Sequence, residues 1–190
     1  MQDGYALLEE QQTIKACTLW LQVWEQLKQR FTPDMQSVED AERVFDGLQS
    51  LFNWCQDLQT ELYNAGLNDP VFYEKQIQYC QEFCVRFPKT NWLTVHNMKR
   101  AVAEAYFALG MQEKGEAAFR KLVEEFPGYA WGYIGWGDMY CDRPLHQNIH
   151  VNYGRAEELY KHALKIAGAE DKADVLARLD RLTAERKKGV

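Results

Sequence analysis

Cys80 and Cys84 lie four residues apart, a spacing that turns two thiolates to one side of a helix, where they can form one edge of a metal site. His146 and His150 repeat that spacing, with Asp142 close by, and two imidazoles one turn apart can share a zinc ion. Asn53, Asp57 and Glu61 place two carboxylates one turn apart, where they can work as acid and base. Each pattern also has a plainer reading. Cys80 and Cys84 fall in register with Ile77 and Phe83, and free cysteine is among the most buried residue types, so both read as core, as do Cys17 and Cys55. Pro144 discourages a regular helix around His146 and His150, and no Glu stands between them to make a hydrolase, so a polar loop is expected. Neither a nucleophile nor a Gly-rich phosphate loop accompanies Asp57 and Glu61. Serine occurs only at Ser37 and Ser50, outside any Gly-x-Ser-x-Gly setting. The expectation is a protein without catalytic residues, metal or cofactor.

Composition narrows the class further. Hydrophobic residues make up 46% of the 190 and aromatics 13%, enough for a substantial core. The net charge of -6 argues against a nucleic-acid partner, because phosphate binding needs a clustered positive field. The basic run Arg186-Lys187-Lys188 reads as a solvated helix end. No stretch approaches the ~18 apolar residues of a membrane span, and no basic-then-apolar leader opens the chain. Five cysteines without that leader point to free thiols in a reducing cytoplasm.

The elements that must position these residues all read as helices. Ile14, Cys17, Leu21, Trp24 and Leu27 predict a helix over 13–31 capped by Thr13, preceded by a short helix from Gly4 to Glu10. Val44, Leu48, Leu51, Cys55, Leu58 and Leu62 predict one long helix from Ser37 to Ala65, with Ser37 as its cap and Gly66 as a left-handed terminator. Asp69 and Pro70 then open a helix that stops at Phe87-Pro88. A hairpin follows over Asn91 to Phe126, turning at Gly110. Another starts at Tyr129, and a last amphipathic helix covers Asp171 to Lys187, with Val175, Leu176, Leu179 and Leu182 on one side.

Tyr106 and Tyr140 stand 34 residues apart in matching contexts, and such a period marks a helical-hairpin array. Trp136-Gly137 and Tyr140, then Gly115 and Ala156, Phe119 and Tyr160, and finally Pro127 fall on the pattern of the tetratricopeptide repeat, which the chain resembles over 92–168. Upstream, Gly66, Phe83 and Pro88 fit, but Gln76 replaces a small residue. The chain is also similar to small bacterial proteins of this class, some of which end in a zinc motif of the SecA C-terminal type that is absent here; Asn53 to Leu58, Val95 to Arg100 and Trp131 to Tyr140 carry that likeness. The resemblance implies an all-α solenoid forming a single domain over 1–190. Its parts would be a degenerate hairpin over 1–31, a long-helix hairpin over 37–88, repeats over 91–127 and 129–168 with an insertion at 141–154, and a capping helix over 171–187.

In this repeat class the first helix of each hairpin lines a concave groove for a protein or peptide. Alignment on Gly66, Gly110 and Tyr140 sets Asn53, Asn97 and Trp131 in one layer. Successive layers hold Gln56, Arg100 and Ile134; Asp57, Ala101 and Gly135; Thr60, Glu104 and Asp138; and Tyr63, Phe107 and Cys141. The partner-binding candidates are Asn53, Asp57, Asn97, Arg100, Glu104, Trp131 and Asp138. Their acidic balance favours a basic segment, with Trp131 as an apolar anchor. That arrangement implies that Trp131→Ala and Arg100→Glu abolish partner capture without lowering Tm. The competing structural reading has the charges pairing with one another and Trp131 packed inside. Self-association is the alternative function, ahead of metal binding or catalysis.

Overall fold

The computed structural model describes residues 1–141 and 151–188, and every regular element among them is helical. The chain forms two compact units, Met1–Ala101 and Val102–Val190.

The first unit contains α1 (Gln2–Glu9), α2 (Thr13–Lys28), α3 (Val38–Glu42), α4 (Leu51–Gly66), α5 (Val71–Arg86) and the start of α6 (Trp92–Ala108). Packing follows chain order: α1 on α2, α2 on α4, and α4 on α5, with α3 against α4. The interior is aromatic. Trp20, Trp24, Trp54, Tyr79, Phe83 and Phe87 are all buried, and Trp20–Trp54 and Trp24–Tyr79 meet edge to face at 6.1 and 5.0 Å. Cys17, Cys55 and Cys80 are buried among them, whereas Cys84 is only partly so. Gln76, the departure from the repeat pattern, is buried too, and its amide donates to the Gln59 carbonyl at 3.0 Å, tying α5 to α4.

Several boundaries differ from the periodicity. The expected helix from Ser37 to Ala65 is two helices with an eight-residue loop, 43–50, between them. Ser37 does cap the first, in a reciprocal box with Asp40. A second start then competes with continuation. Ser50 Oγ accepts from the Asn53 amide at 3.2 Å, and the Glu42 carboxylate accepts from the Phe52 amide at 2.7 Å. Each cap is worth about 1 kcal/mol, and Gly47 in mid-helix would cost about as much. Val44 and Leu48, apolar by period, therefore stand 63% and 93% exposed.

Gly66 is no left-handed cap. It ends α4 in ordinary helical geometry, and a Cβ there would lie 2.5 Å from the Tyr73 ring, so close approach selects the glycine. Gly110, with φ +71°, makes the expected turn after α6. Thr13 begins α2 without capping it, because Gln12 holds the cap position and Gln11 takes the positive φ. That helix also stops at Lys28, short of residue 31. Pro70 occupies the cap position of α5, while the Asp69 side chain accepts from the Val71 amide at 3.1 Å.

The second unit contains the end of α6, then α7 (Gln112–Glu125), α8 (Ala130–Asp138), α9 (Tyr153–Ile166) and α10 (Ala169–Lys188). Here too neighbours in sequence are neighbours in space: α7 on α8, α8 on α9 and α9 on α10, with α10 also reaching α8. Phe107, Phe119, Tyr160 and Trp136 fill the centre, and Phe119 and Trp136 stack at 5.8 Å. Gly137 admits the Tyr160 ring, which would lie 2.5 Å from an added Cβ. Tyr140 is buried but Tyr106 only partly so, and the two matched tyrosines thus sit in different surroundings. On α10, Val175 and Leu182 are buried while Leu176 is half exposed, outside the stripe expected to hold it. Asp142, Pro144, His146 and His150 lie outside the described residues. The described ends of that segment close on each other, with the Asn152 amide donating to the Tyr140 carbonyl at 3.0 Å. Among the described residues no helix is long and apolar enough to cross a membrane.

Candidate functional site

In the first unit, Asn53 is exposed on α4 and its side-chain amide bonds to none of the described residues. Gln56 and Thr60 continue along the same helix, each returning a hydrogen bond to a carbonyl one turn back, at 3.4 and 3.1 Å. Asp57 is already engaged, accepting from the Tyr5 hydroxyl of α1 at 2.6 Å. Burial first, and the Asp57 carboxylate second, raise the Tyr5 phenol well above its ordinary range, so it stays a donor. Glu61, the other carboxylate of that line, accepts from Asn64 at 3.2 Å. On α6, Asn97 and Arg100 are partly buried, and Asn97 Oδ1 lies 3.4 Å from His96 Nδ1.

In the second unit, Glu104 is partly buried on α6, and the two α8 candidates meet α10. Trp131 donates its indole N–H to Asp171 at 2.9 Å, and the Arg178 guanidinium lies 5.5 Å from its ring centroid. Asp138 accepts from Arg178 Nε at 2.8 Å and Nη2 at 3.1 Å, a forked pair, and from the Tyr160 hydroxyl at 2.6 Å. Ile134 and Gly135 of α8 and Cys141 just beyond its end are buried, and Phe107 is core in the layer it shares with Cys141. The α8 face assigned to a partner is thus the face on which α10 packs.

One arrangement recurs, and pattern reading missed it: an indole N–H on a carboxylate, with a cation beside either that carboxylate or the indole ring. Trp24 donates to Glu82 at 3.0 Å, with Lys28 at 2.7 Å from the same carboxylate. Trp136 donates to Glu116 at 2.6 Å, Tyr140 donates to that oxygen as well, and Arg155 lies 5.0 Å from the Trp136 ring centroid. Trp131, Asp171 and Arg178 form the third. Each joins residues on different helices and satisfies the polar tip of a ring whose body is in the core. Burial outweighed by hydrogen bonds from Lys28, Gln78 and Trp24 leaves the Glu82 carboxyl below the usual range. Burial, then Glu116, pushes the Tyr140 phenol up to about 12. A sequence signal did exist for Arg178. It lies three residues after Val175 and four before Leu182, so a charge sits on the apolar line of a helix read as polar elsewhere.

Among the described residues no cluster of His, Cys, Asp and Glu has the arrangement of a metal site. Searches against protein-family models, curated proteins and solved structures give no match.

Proposed function

We propose that the chain is a non-enzymatic protein–protein interaction module, built as an array of hairpins of the tetratricopeptide type and working in the cytoplasm. The observation that carries this reading is the chain-order packing of α1, α2, α4 and α5 in one unit and of α7 to α10 in the other. Such near-neighbour stacking is the mark of solenoids, which use successive helix faces to bind partners. The free thiols suit a reducing compartment. Within the first unit, α4 carries a row of polar side chains, with Asn53 and Thr60 exposed and Gln56 partly buried, and Asn53 has both donor and acceptor available for a partner backbone. Among the candidates, Asn53 is the best placed for direct contact, whereas Trp131 and Asp138 act by holding α10.

Self-association is the second reading, favoured by Leu48 and Val85 at 93% and 83% exposure. A photo-reactive residue placed at Asn53, with a control at Asp138, separates the readings in living cells. The module reading expects a discrete adduct with another protein from position 53 only. Adducts solely with a second copy of the chain, matched by concentration-dependent sedimentation, would establish self-association instead.

A further inference from the structure

We infer that the cleft between the α1–α2 hairpin and the 43–50 loop holds an acidic–apolar segment of a partner protein: an internal Asp or Glu beside a large apolar side chain. This deepens the interaction-module reading and rests on it. The cleft has a volume of about 370 Å³, near the lower end of the range for ligand pockets, which suits a pair of side chains. Its apolar walls are Val23 and Leu27 of α2 and Phe45 and Leu48 of the loop.

The loop is fixed at its base. Glu42 at its entry accepts from the Phe52 amide beyond its exit at 2.7 Å and from the Ser50 hydroxyl at its exit at 3.4 Å, so one carboxylate ties both ends of the loop. Leu48 nevertheless stands at the rim almost wholly in solvent, although helical continuation would have given it an apolar register. An apolar side chain kept exposed on a pinned loop beside an apolar cleft is the geometry of a contact waiting for its other half.

Charge selects the occupant. Arg30 is the cationic side chain of the lining; no Asp or Glu lines the cleft among the described residues, and the Arg30 guanidinium pairs with no Asp or Glu among them. The chain as a whole carries -6 and repels acidic partners at long range. The attraction is therefore local and needs a carboxylate delivered next to an apolar group. Gln26 and Gln49 add amide donors beside it. A basic segment would meet Arg30 with no carboxylate in the lining, among the described residues, to offset the repulsion at contact.

The test uses the full chain and a fluorescent, C-terminally amidated peptide, Gly-Ser-Glu-Leu-Phe-Gly-Ser, with a twin carrying Gln in place of Glu. Anisotropy should show saturable binding of the acidic peptide, weakened at least about tenfold by the Gln twin or by Arg30→Gln, the low end for a charge-assisted hydrogen bond. Arg30→Gln should leave the twin's affinity unchanged, and Leu48→Ser should weaken both peptides. Both substituted side chains are exposed, and unchanged thermal melts would show that the fold is kept. Equal binding of the two peptides, indifference to Arg30→Gln, displacement by octanoate in place of competing peptide, or no saturation by about 1 mM would each overturn the assignment. If Asn53 adducts persist while the peptide fails, the cleft assignment falls and the module stands; if those adducts are absent too, both fall.

Discussion

Replacing Arg178 by Met keeps a long apolar side chain and removes the guanidinium, which lies 5.5 Å from the Trp131 ring centroid. The forked pair with Asp138 is then lost, and Asp138 keeps the Tyr160 hydroxyl as its remaining partner in this contact. The two side chains of the pair are 22% and 19% exposed, between the surface case, worth about 0–1 kcal/mol, and the fully buried case, where removing one partner costs about 3–5 kcal/mol. A value of about 2 kcal/mol follows for the pair, and the lost attraction to the Trp131 ring adds about 0.5 kcal/mol. At about 2–4 °C per kcal/mol for a chain of this size, Tm should fall by about 5–10 °C. Calorimetry first establishes whether unfolding is a single transition, and urea melts then give the free-energy difference. Because the pair is mostly shielded, raising the salt should change the difference little. The cycle with Asp138→Asn should be non-additive, the double variant being more stable than the sum of the two losses predicts. A Tm change below about 1 °C, or strict additivity, would refute the claim that this pair fastens α10 to α8. The same geometry reverses the expectation for Trp131→Ala, which should lower Tm because it removes both the Asp171 bond and the surface beneath Arg178.

Two glycines separate close packing from mere flexibility. Gly137→Ala would press a methyl onto the buried Tyr160 ring and should cost about 1–3 kcal/mol, whereas Gly128→Ala meets nothing within 4 Å and should be neutral or stabilise by up to about 1 kcal/mol in denaturant melts. Burial pushes the Cys17 and Cys55 thiols up to about 12, against about 8.5 in the unfolded chain. The folded state therefore holds these protons longer than the unfolded state does. Their contribution to stability is fully present below about pH 8.5 and is lost as pH rises toward 12. Denaturant midpoints should fall across that window, and a native thiol titration should label the partly exposed Cys84 first; equal labelling of Cys17 and Cys55 would count against the burial argument.

The departures from the sequence reading share one physical origin. Apolar period finds helices because a buried stripe must repeat every 3.6 residues, and the Ser37 box and the Gly110 turn are legible because both are local. The break at 43–50 was hidden because its decisive contact, Glu42 to the Phe52 amide, has no periodic signature and the apolar period runs straight through it. The α8 candidates were located correctly on their helix. What covers that helix depends on Arg178, 40 residues further on.

Composition and period, by themselves, determined that this protein is helical, that its aromatic residues build its interior, and that its hairpin turn falls at Gly110. These follow from nearest-neighbour geometry and from the cost of exposing apolar surface. Tertiary structure alone decided which polar residues remain available. It engages Asp57, Trp131 and Asp138 with partners within the fold, and it leaves the Asn53 side chain without one among the described residues; Arg30, unpaired among those same residues, lines one cleft with the exposed Leu48. Those outcomes depend on which helix packs across which face, through contacts between residues distant in sequence whose energies no local pattern records.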